Sequence, residues 1–220
     1  MGREKTEQTK IKRQPKIINI FGCFAFFVCF VISPVSYSIQ DFDKIAAQAT
    51  QARESNRLDE AISLYREALR LNPKWAEGWF YLGSLFHDRD NHAEAARAFK
   101  EATDLNPGIG TAWVMLGLSE FNLGRYDDAL KHIQKGRQLG ITDNPNLRNV
   151  MLYHEGLLLL DKEDYENAHK ALASLGREGV ESENLIAALG LAVLRLRPSA
   201  LPSLDETTRA AVGRAGQAEY

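Results

Sequence analysis

The sequence has 220 residues, of which 45% are apolar and 25% are charged, proportions that are typical of a packed protein and that argue against intrinsic disorder. Its length fits one or two ordinary domains or a single repeat array. The formal net charge is −2, and the part after residue 38 carries 21 basic against 27 acidic residues, so no general attraction to nucleic-acid phosphates is expected.

The N-terminal segment has the organisation of an export signal. A basic stretch ending in KIKRQPK precedes the apolar run 17–32, Pro34 follows the run, and Ser36 and Ser38 are small residues of the kind that a signal peptidase recognises. A helix over this run reaches roughly 24 Å, which is short of a ~30 Å hydrocarbon core. We therefore expect residues 1–38 to be a cleaved signal peptide and the product to be periplasmic or extracellular. An uncleaved signal anchor is the alternative.

The chain contains an internal repeat with a period of 34 residues, seen where EALRLNP ends at Pro73 and EATDLNP ends at Pro107. Within the unit 76–109, two apolar helical faces are separated by the polar, turn-like stretch HDRDNHAE. The residues of these two faces are Trp79, Leu82, Gly83 and Phe86, followed by Ala95, Phe99 and Ala102. Each unit is therefore predicted to be a helix, a tight turn and an antiparallel helix.

Gly83 interrupts a face that is otherwise bulky. An interior glycine costs ~1 kcal/mol relative to alanine, whereas a side chain forced into a helix crossing costs ~1–3 kcal/mol. Antiparallel helices approach more closely where the facing side chains are small. We therefore interpret Gly83, with Ala95 opposite, as the point of close contact between the two helices of the unit.

The pattern resembles the tetratricopeptide repeat family, in which W-x2-L-G-x2-Y is followed by a small alanine, an aromatic residue, an alanine and a proline. The unit 76–109 matches this pattern, with Phe86 in place of the tyrosine. The resemblance implies an all-α fold, a right-handed superhelical array of antiparallel helix pairs known as an α-solenoid. Together with the export signal, it indicates an exported bacterial-type member of the family.

The resemblance extends over most of the chain after the signal segment. The array is predicted to cover residues 39–196, in units of about 42–75, 76–109, 110–148, 149–182 and, in part, 183–196. The third unit departs from the pattern, because Glu120 stands at the tyrosine position and the closing proline is displaced to Pro145.

Residues 197–220 are predicted to form an irregular loop and the start of a further helix. RPSALP breaks the repeat pattern, and Ser203 with Glu206 resembles a capping box that opens a new helix. No stop signal precedes Tyr220, so we expect this segment to be loosely packed and the chain to be truncated.

Motifs of common catalytic and cofactor sites are missing from the sequence, which has no P-loop, no G-x-S-x-G and no H-E-x-x-H. His87 and His92 are five residues apart, which is off the i, i+4 spacing of helical metal ligands. Cys23 and Cys29 both lie in the apolar run, so cleavage after Ser38 leaves no thiol. No catalytic residue, cofactor or metal site is predicted.

The first helices of a stacked array line its concave face. The positions expected to project from this face are Phe80, Ser84, His87, Val114, Leu118, Phe121, Tyr153, Leu157, Leu160, Leu191 and Leu194. They predict an apolar groove with a few polar breaks, suited to an amphipathic helix or an apolar peptide. The alternative is that neighbouring helices, or residues beyond Tyr220, bury these side chains.

One binding mode of the family is not expected in this chain. Chaperone-binding members hold the terminal carboxylate of a peptide with Lys, Asn and Arg on their first helices. The corresponding positions here are Ala46, Thr50, Ser84, Val114 and Leu118, none of which could form such a clamp.

The sequence therefore predicts a non-catalytic scaffold that binds a protein or peptide partner through the groove. No nucleic acid or cofactor is expected, and the membrane would be contacted only through residues 17–32 if they stay uncleaved. The alternative is a helical targeting domain of a larger enzyme or of a secretion or assembly complex, and self-association is a third option.

Overall fold

The computed structural model describes residues 41–141, 144–180, 182–199 and 204–219. The signal segment, its predicted cleavage site after Ser38, and Ser203 lie outside the described residues. The chain from Phe42 onward forms one compact unit.

Ten helices account for the regular structure of the described residues beyond a short turn near Pro198. The first, α1, covers residues 41–54. The others are α2 (Leu58–Leu71), α3 (Ala76–His87), α4 (His92–Leu105), α5 (Gly110–Asn122), α6 (Tyr126–Leu139), α7 (Pro145–Asp161), α8 (Tyr165–Arg177), α9 (Glu183–Val193) and α10 (Glu206–Glu219).

The helices pair into five hairpins that stack in chain order. Helices α3 and α4, α5 and α6, α7 and α8, and α9 and α10 pack against each other, and α1 meets α2 through Ala49, Ala52 and Tyr65 in one core cluster. The second helix of each hairpin also contacts the first helix of the next, and the first helices contact one another from α3 to α9. The predicted all-α solenoid of helix pairs is thus confirmed.

The same turn closes the first helix of every hairpin. One residue in the left-handed region follows that helix, and the next residue donates its N–H to the carbonyl five positions earlier, at 2.8–2.9 Å. This is the bond of a Schellman-type helix end. The left-handed residues are Asn56, Asp90, Gly124, Glu163 and Arg195. In the first four hairpins the second helix begins two residues later, whereas after Arg195 it begins only at Glu206.

The structure confirms the interpretation of Gly83 as a point of close contact. A Cβ atom placed on Gly83 would lie 2.8 Å from ring atoms of Phe99 on α4, a side chain that is fully buried. The same arrangement recurs in the fourth hairpin, where a Cβ on Gly156 would lie 2.5 Å from Leu172. Each glycine therefore admits a large side chain from the second helix of its own hairpin.

The boundary between the third and fourth units differs from the predicted one. Pro145 does not close the third unit but is the first residue of α7, and the Asn144 side chain caps this helix by accepting the N–H of Leu147. Proline is favoured at this position because the first helical N–H has no intrahelical partner. The fourth hairpin therefore begins at Pro145, before the predicted Asn149.

The C-terminal segment also differs from the prediction. Helix α10 packs on α9 as the second helix of a fifth hairpin, with Val212 fully buried and with Gly190 and Gly216 at backbone-to-backbone contacts. Its cap is Asp205, whose side chain accepts the N–H of Thr208 at 2.7 Å. The expected loose packing of residues 206–219 is therefore wrong, because Gly216, which the repeat spacing did not reveal, allows α10 to approach α9 closely beside the contact glycine Gly190.

No helix among the described ranges has the length and apolar character needed to span a membrane.

Candidate functional site

The residues predicted to line the groove fall into two groups. Seven of them remain half-buried or exposed: Phe80, Ser84, His87, Phe121, Tyr153, Leu157 and Leu194. We call the surface formed by the first six the A-helix face. Leu194, which is 40% exposed, lies just past the end of α9 and is not part of it.

The other four predicted groove residues are core residues, and their assignment to an accessible groove is corrected. Val114 and Leu160 are 0% exposed, Leu191 is 1% exposed and Leu118 is 4% exposed. Leu118 packs in one cluster with Met151 and with other side chains of α6 and α7. The first helices of neighbouring hairpins are in direct contact, so they bury side chains that a separate unit would leave open.

An aromatic cluster forms the centre of the A-helix face. The Phe121 and His154 rings meet edge to face, with centroids 4.7 Å apart, and Tyr153 meets His154 in the same way at 5.6 Å. Tyr126, at the start of α6, adds a contact with Phe121 at 5.4 Å. Aromatic rings in such arrangements give large contact areas with little conformational freedom.

Two mainly apolar pockets adjoin this cluster. The first has a volume of about 230 Å³ and lies between Phe121, Tyr126 and Leu157, with Pro198 and Ser199 on its other side. The second, of about 220 Å³, lies at the beginning of α7 and α9. Its wall includes Val150, Tyr153, His154, Val180 and Leu185. Pockets of this size accept single apolar side chains of a ligand.

The histidines of this face are held in the neutral form. Burial lowers the pKa of His154, and its hydrogen bond to the Val150 carbonyl at 2.7 Å opposes that shift. Burial also lowers the pKa of His87, and the neighbouring His92 lowers it further. His87 lies 3.3 Å from the Ser119 hydroxyl across the α3–α5 contact. The face is therefore weakly polar and carries little charge near neutral pH.

The sequence analysis missed His154 and Tyr126 as members of this site. His154 shares a helical face with Val150 and Leu157 at spacings of four and three, and this spacing could have identified it. Tyr126 lies at the first turn of a second helix and reaches the face only because the preceding turn brings it beside Phe121. Pro198 and Ser199 come from a segment without a repeat pattern, so no residue spacing in the sequence predicts that they reach this face.

The described residues offer little for catalysis or metal binding. No group of three or more His, Cys, Asp or Glu side chains is placed to hold a metal ion within the described ranges. Glu120, which replaces the tyrosine of the pattern, lies 2.5 Å from His132 on α6 and is almost fully buried. That pair joins the two helices of one hairpin, and its position between them makes it a packing contact.

Comparison with known proteins supports the repeat assignment. The sequence model described as tetratricopeptide repeat matches residues 46–108 and 88–143. No curated protein matches the sequence significantly.

Solved structures extend the similarity of fold over most of the chain. The crystal structure of the MamA protein aligns with a TM-score of 0.61 at 19% identity, over 82% of this chain and 96% of that one. YrrB, described as a TPR protein with an unusual peptide-binding site, aligns with a TM-score of 0.59 at 21% identity, over 77% of this chain and 88% of that one. Residues 46–143 therefore match the tetratricopeptide repeat model, and the hairpin array that contains them has an α-solenoid fold shared with the MamA and YrrB structures.

Proposed function

We propose that this protein is a non-catalytic scaffold that binds a partner protein or peptide through the A-helix face. The observation that carries the proposal is the aromatic cluster of Phe121, Tyr153 and His154 between two apolar pockets. Such a cluster supplies rigid apolar area where the array leaves a face of its first helices uncovered.

The chemistry of the face favours an apolar partner over an acidic one. Its aromatic side chains are accompanied by neutral histidines, and the positions that would clamp a terminal carboxylate are not basic. The partner is therefore a segment with at least two apolar side chains, one for each pocket, such as an amphipathic helix or an extended peptide. YrrB, which shares the fold at 21% identity, is described as having a peptide-binding site, and this supports a peptide as ligand.

Site-specific photo-cross-linking tests the proposal. A benzophenone amino acid in place of Tyr153 should cross-link a partner in a cell extract, because this side chain belongs to the aromatic cluster and lines the second pocket. The matched control carries the same group in place of Arg97, whose side chain is 77% exposed on α4. Identical products from the Tyr153 and Arg97 positions would overturn the proposal. It would also be overturned if no product formed with the benzophenone group at position 153 and none formed with the group in place of Phe121.

A pair of aspartate substitutions separates the face from the core. Leu157 is half-buried beside the first pocket, so Leu157→Asp should abolish partner cross-linking and change the free energy of unfolding by less than ~1 kcal/mol. Leu118→Asp places a charge in the core and should destabilise the protein by about 5 kcal/mol or more. Chemical denaturation measures both, and a Leu157→Asp protein that still binds its partner would contradict the proposed site.

We further propose that the protein is exported. The basic flank, the apolar run 17–32 and the small residues Ser36 and Ser38 support a cleaved signal peptide, with an uncleaved anchor as the alternative. Mass spectrometry of the protein from fractionated cells distinguishes the two. A product beginning at Ile39 is expected, an intact N-terminus in the membrane fraction would indicate the anchor, and a full-length cytosolic chain would contradict export.

A further inference from the structure

A polar cleft lies on the side of α7 that faces away from Tyr153 and Leu157. It has a volume of about 410 Å³ and runs between α6 and α8, with α7 as its floor. Its polar lining residues are Gln134, Arg137, Glu155, Asp164, Asn167, Lys170 and Ser174. Because it opens between the second helices of two hairpins, it is separate from the A-helix face.

Glu155 occupies a position that is leucine in three of the other four first helices, and in α1 the position is Gln48, which is exposed. The residue before the contact glycine is Leu82 in α3, Leu116 in α5 and Leu189 in α9, all buried, whereas α7 has Glu155 before Gly156. Glu155 is only 1% exposed. A carboxylate at this depth is costly to desolvate, and a leucine there would suit the fold equally well.

The residue facing this position is exchanged as well. In the corresponding cleft over α3, Leu69 and Leu82 line the same pocket and belong to one core cluster. Repeat alignment places Arg137 at the position of Leu69, and an Arg137 Nη2 atom lies 3.2 Å from a Glu155 Oε1 atom. An ion pair between the third and fourth hairpins therefore stands where Leu69 and Leu82 form an apolar pair between the first and second.

The ion pair leaves half of the carboxylate without a partner. Glu155 Oε2 is buried and accepts no hydrogen bond of normal geometry. A buried acceptor without a donor loses its hydration with nothing in return. Burial accordingly raises the pKa of Glu155, and Arg137 and the side chain of Gln134 oppose that shift only in part.

The charged groups that line the cleft already have partners, apart from one oxygen of Glu155. Lys170 is paired with Glu166 at 2.6 Å, and the Asp164 carboxylate caps α8 through Asn167. Arg137 contacts Glu155 through Oε1. A positively charged donor would supply the hydrogen bond that Oε2 lacks.

We propose that this cleft binds a monovalent organic cation, the guanidinium or ammonium group of an arginine or lysine side chain or of a free amine, with Glu155 Oε2 as its acceptor. Arg137 holds the other carboxylate oxygen and fixes the orientation of Oε2. The apolar walls, Leu152, Leu159 and Ala171, pack along the stem that carries the charged group.

An NMR titration of the full chain with methylguanidinium chloride tests the proposal. Millimolar affinity is expected for so small a ligand, with shift changes at Leu152, Leu159 and Asn167 and none at Leu82 in the corresponding cleft. Sodium chloride at equal ionic strength and sodium acetate are the controls. No change beyond that caused by sodium chloride, or equal changes in both clefts, would overturn the proposal.

Two variants assign the binding to Glu155. Glu155→Gln keeps the shape and should weaken binding by roughly tenfold or more, because the acceptor loses its charge. The double variant Arg137→Leu with Glu155→Leu restores the apolar pair of the α3 cleft, so it should fold and show no binding. A double variant that folds and binds methylguanidinium as tightly as the natural protein would overturn the assignment.

Two further measurements test the role of Glu155 and identify the source of the cation. Affinity should fall as the pH is lowered, because protonation of Glu155 removes the charged acceptor; an affinity that is constant with pH would count against Glu155. An N-acetylated, C-amidated Gly-Arg-Gly peptide that binds more tightly than methylguanidinium would identify a partner side chain as the source. Equal affinities would identify a free cation.

Discussion

The hairpins α3–α4 and α7–α8 share one backbone design and differ in the chemistry of one buried position. In both, the turn closes with the same hydrogen bond, Asn91 N–H to Phe86 in the first and Asp164 N–H to Leu159 in the second, each at 2.9 Å. In both, a glycine receives a large side chain of the second helix. At the position before this glycine, α3 has the apolar Leu82 and α7 has the acidic Glu155.

The exchange of Leu82 for Glu155 shows which positions of a repeat can vary without loss of the fold. In a stacked array each hairpin contacts only its neighbours, so one position can change if its facing residue changes with it. Glu155 is tolerated because Arg137 replaces a leucine opposite to it. Glu155 is buried while the Arg137 side chain is 51% exposed. A buried carboxylate held by an ion pair is seldom more stable than an apolar side chain in its place, so its presence suggests a role beyond folding.

The largest expected loss of stability comes from placing a glutamate at the Leu82 position of the α3 hairpin. Leu82→Glu buries a carboxylate opposite Leu69, in a cleft that Arg66, Arg70 and Arg97 also line, and should destabilise the protein by about 3 kcal/mol because none of these arginines stands at the position of Arg137. Chemical denaturation of the full chain measures the loss.

The double variant Leu69→Arg with Leu82→Glu is the matched control. It reproduces the ion pair of α7 and should regain much of the lost stability, because the buried charge again has a partner. If the double variant is no more stable than Leu82→Glu alone, the two clefts are not equivalent and the comparison fails.

A smaller loss of stability is expected from substitutions of the contact glycine, which both hairpins share. Gly83→Leu and Gly156→Leu both force a side chain into the helix crossing, against Phe99 and Leu172, and each should cost about 1–3 kcal/mol by overpacking. Thermal unfolding monitored by circular dichroism gives the comparison. An unchanged midpoint in either variant would show that its glycine is not a point of close contact.

A pH-dependent effect distinguishes the hairpins further. Burial raises the pKa of Glu155 in the folded state. At pH values between the usual pKa of glutamate and this raised pKa, the native protein therefore binds more protons than the unfolded chain. The stability of the natural protein relative to Glu155→Gln should therefore increase as the pH falls through the raised pKa towards pH ~4. Urea denaturation of both proteins at several pH values tests this, and a constant difference would contradict it.

The smallest effect is expected at the A-helix face. Burial lowers the pKa of His154 in the folded state, so the unfolded chain takes up a proton first as the pH falls below about 6.5. Acidification in that range should destabilise the natural protein slightly, and His154→Gln should remove part of the loss. An identical pH profile for the two proteins would mean that His154 titrates normally.

Much of the architecture follows from residue type and spacing alone. The position of Gly83 between bulky residues is sufficient to predict a close helix crossing, because few other arrangements favour glycine within a helix. The 34-residue period likewise predicts hairpins that stack, since each unit leaves an apolar face to bury.

The candidate site was harder to predict because burial depends on neighbours. Leu118 and Phe121 lie on the same face of α5, yet α7 buries Leu118 and leaves Phe121 half-buried. A carboxylate such as Glu155 is ordinarily taken as exposed, so its place in the core becomes visible only when the hairpins are superposed. The fit of α10 on α9 depends on Gly190, which stands at the contact-glycine position of the repeat, and on Gly216, which belongs to no repeat spacing.

The turn shared by all five hairpins has a consequence for how such an array changes in length and content. Its geometry is the same for Asn56, Asp90, Gly124, Glu163 and Arg195, so the backbone tolerates many side chains there. After Arg195 the second helix is delayed until Glu206 and still docks on α9. Because lengthening a loop costs only about 0.6 kcal/mol per doubling, each of these turns is a natural insertion point. New surface segments can therefore be acquired at any hairpin without redesigning the helices on either side.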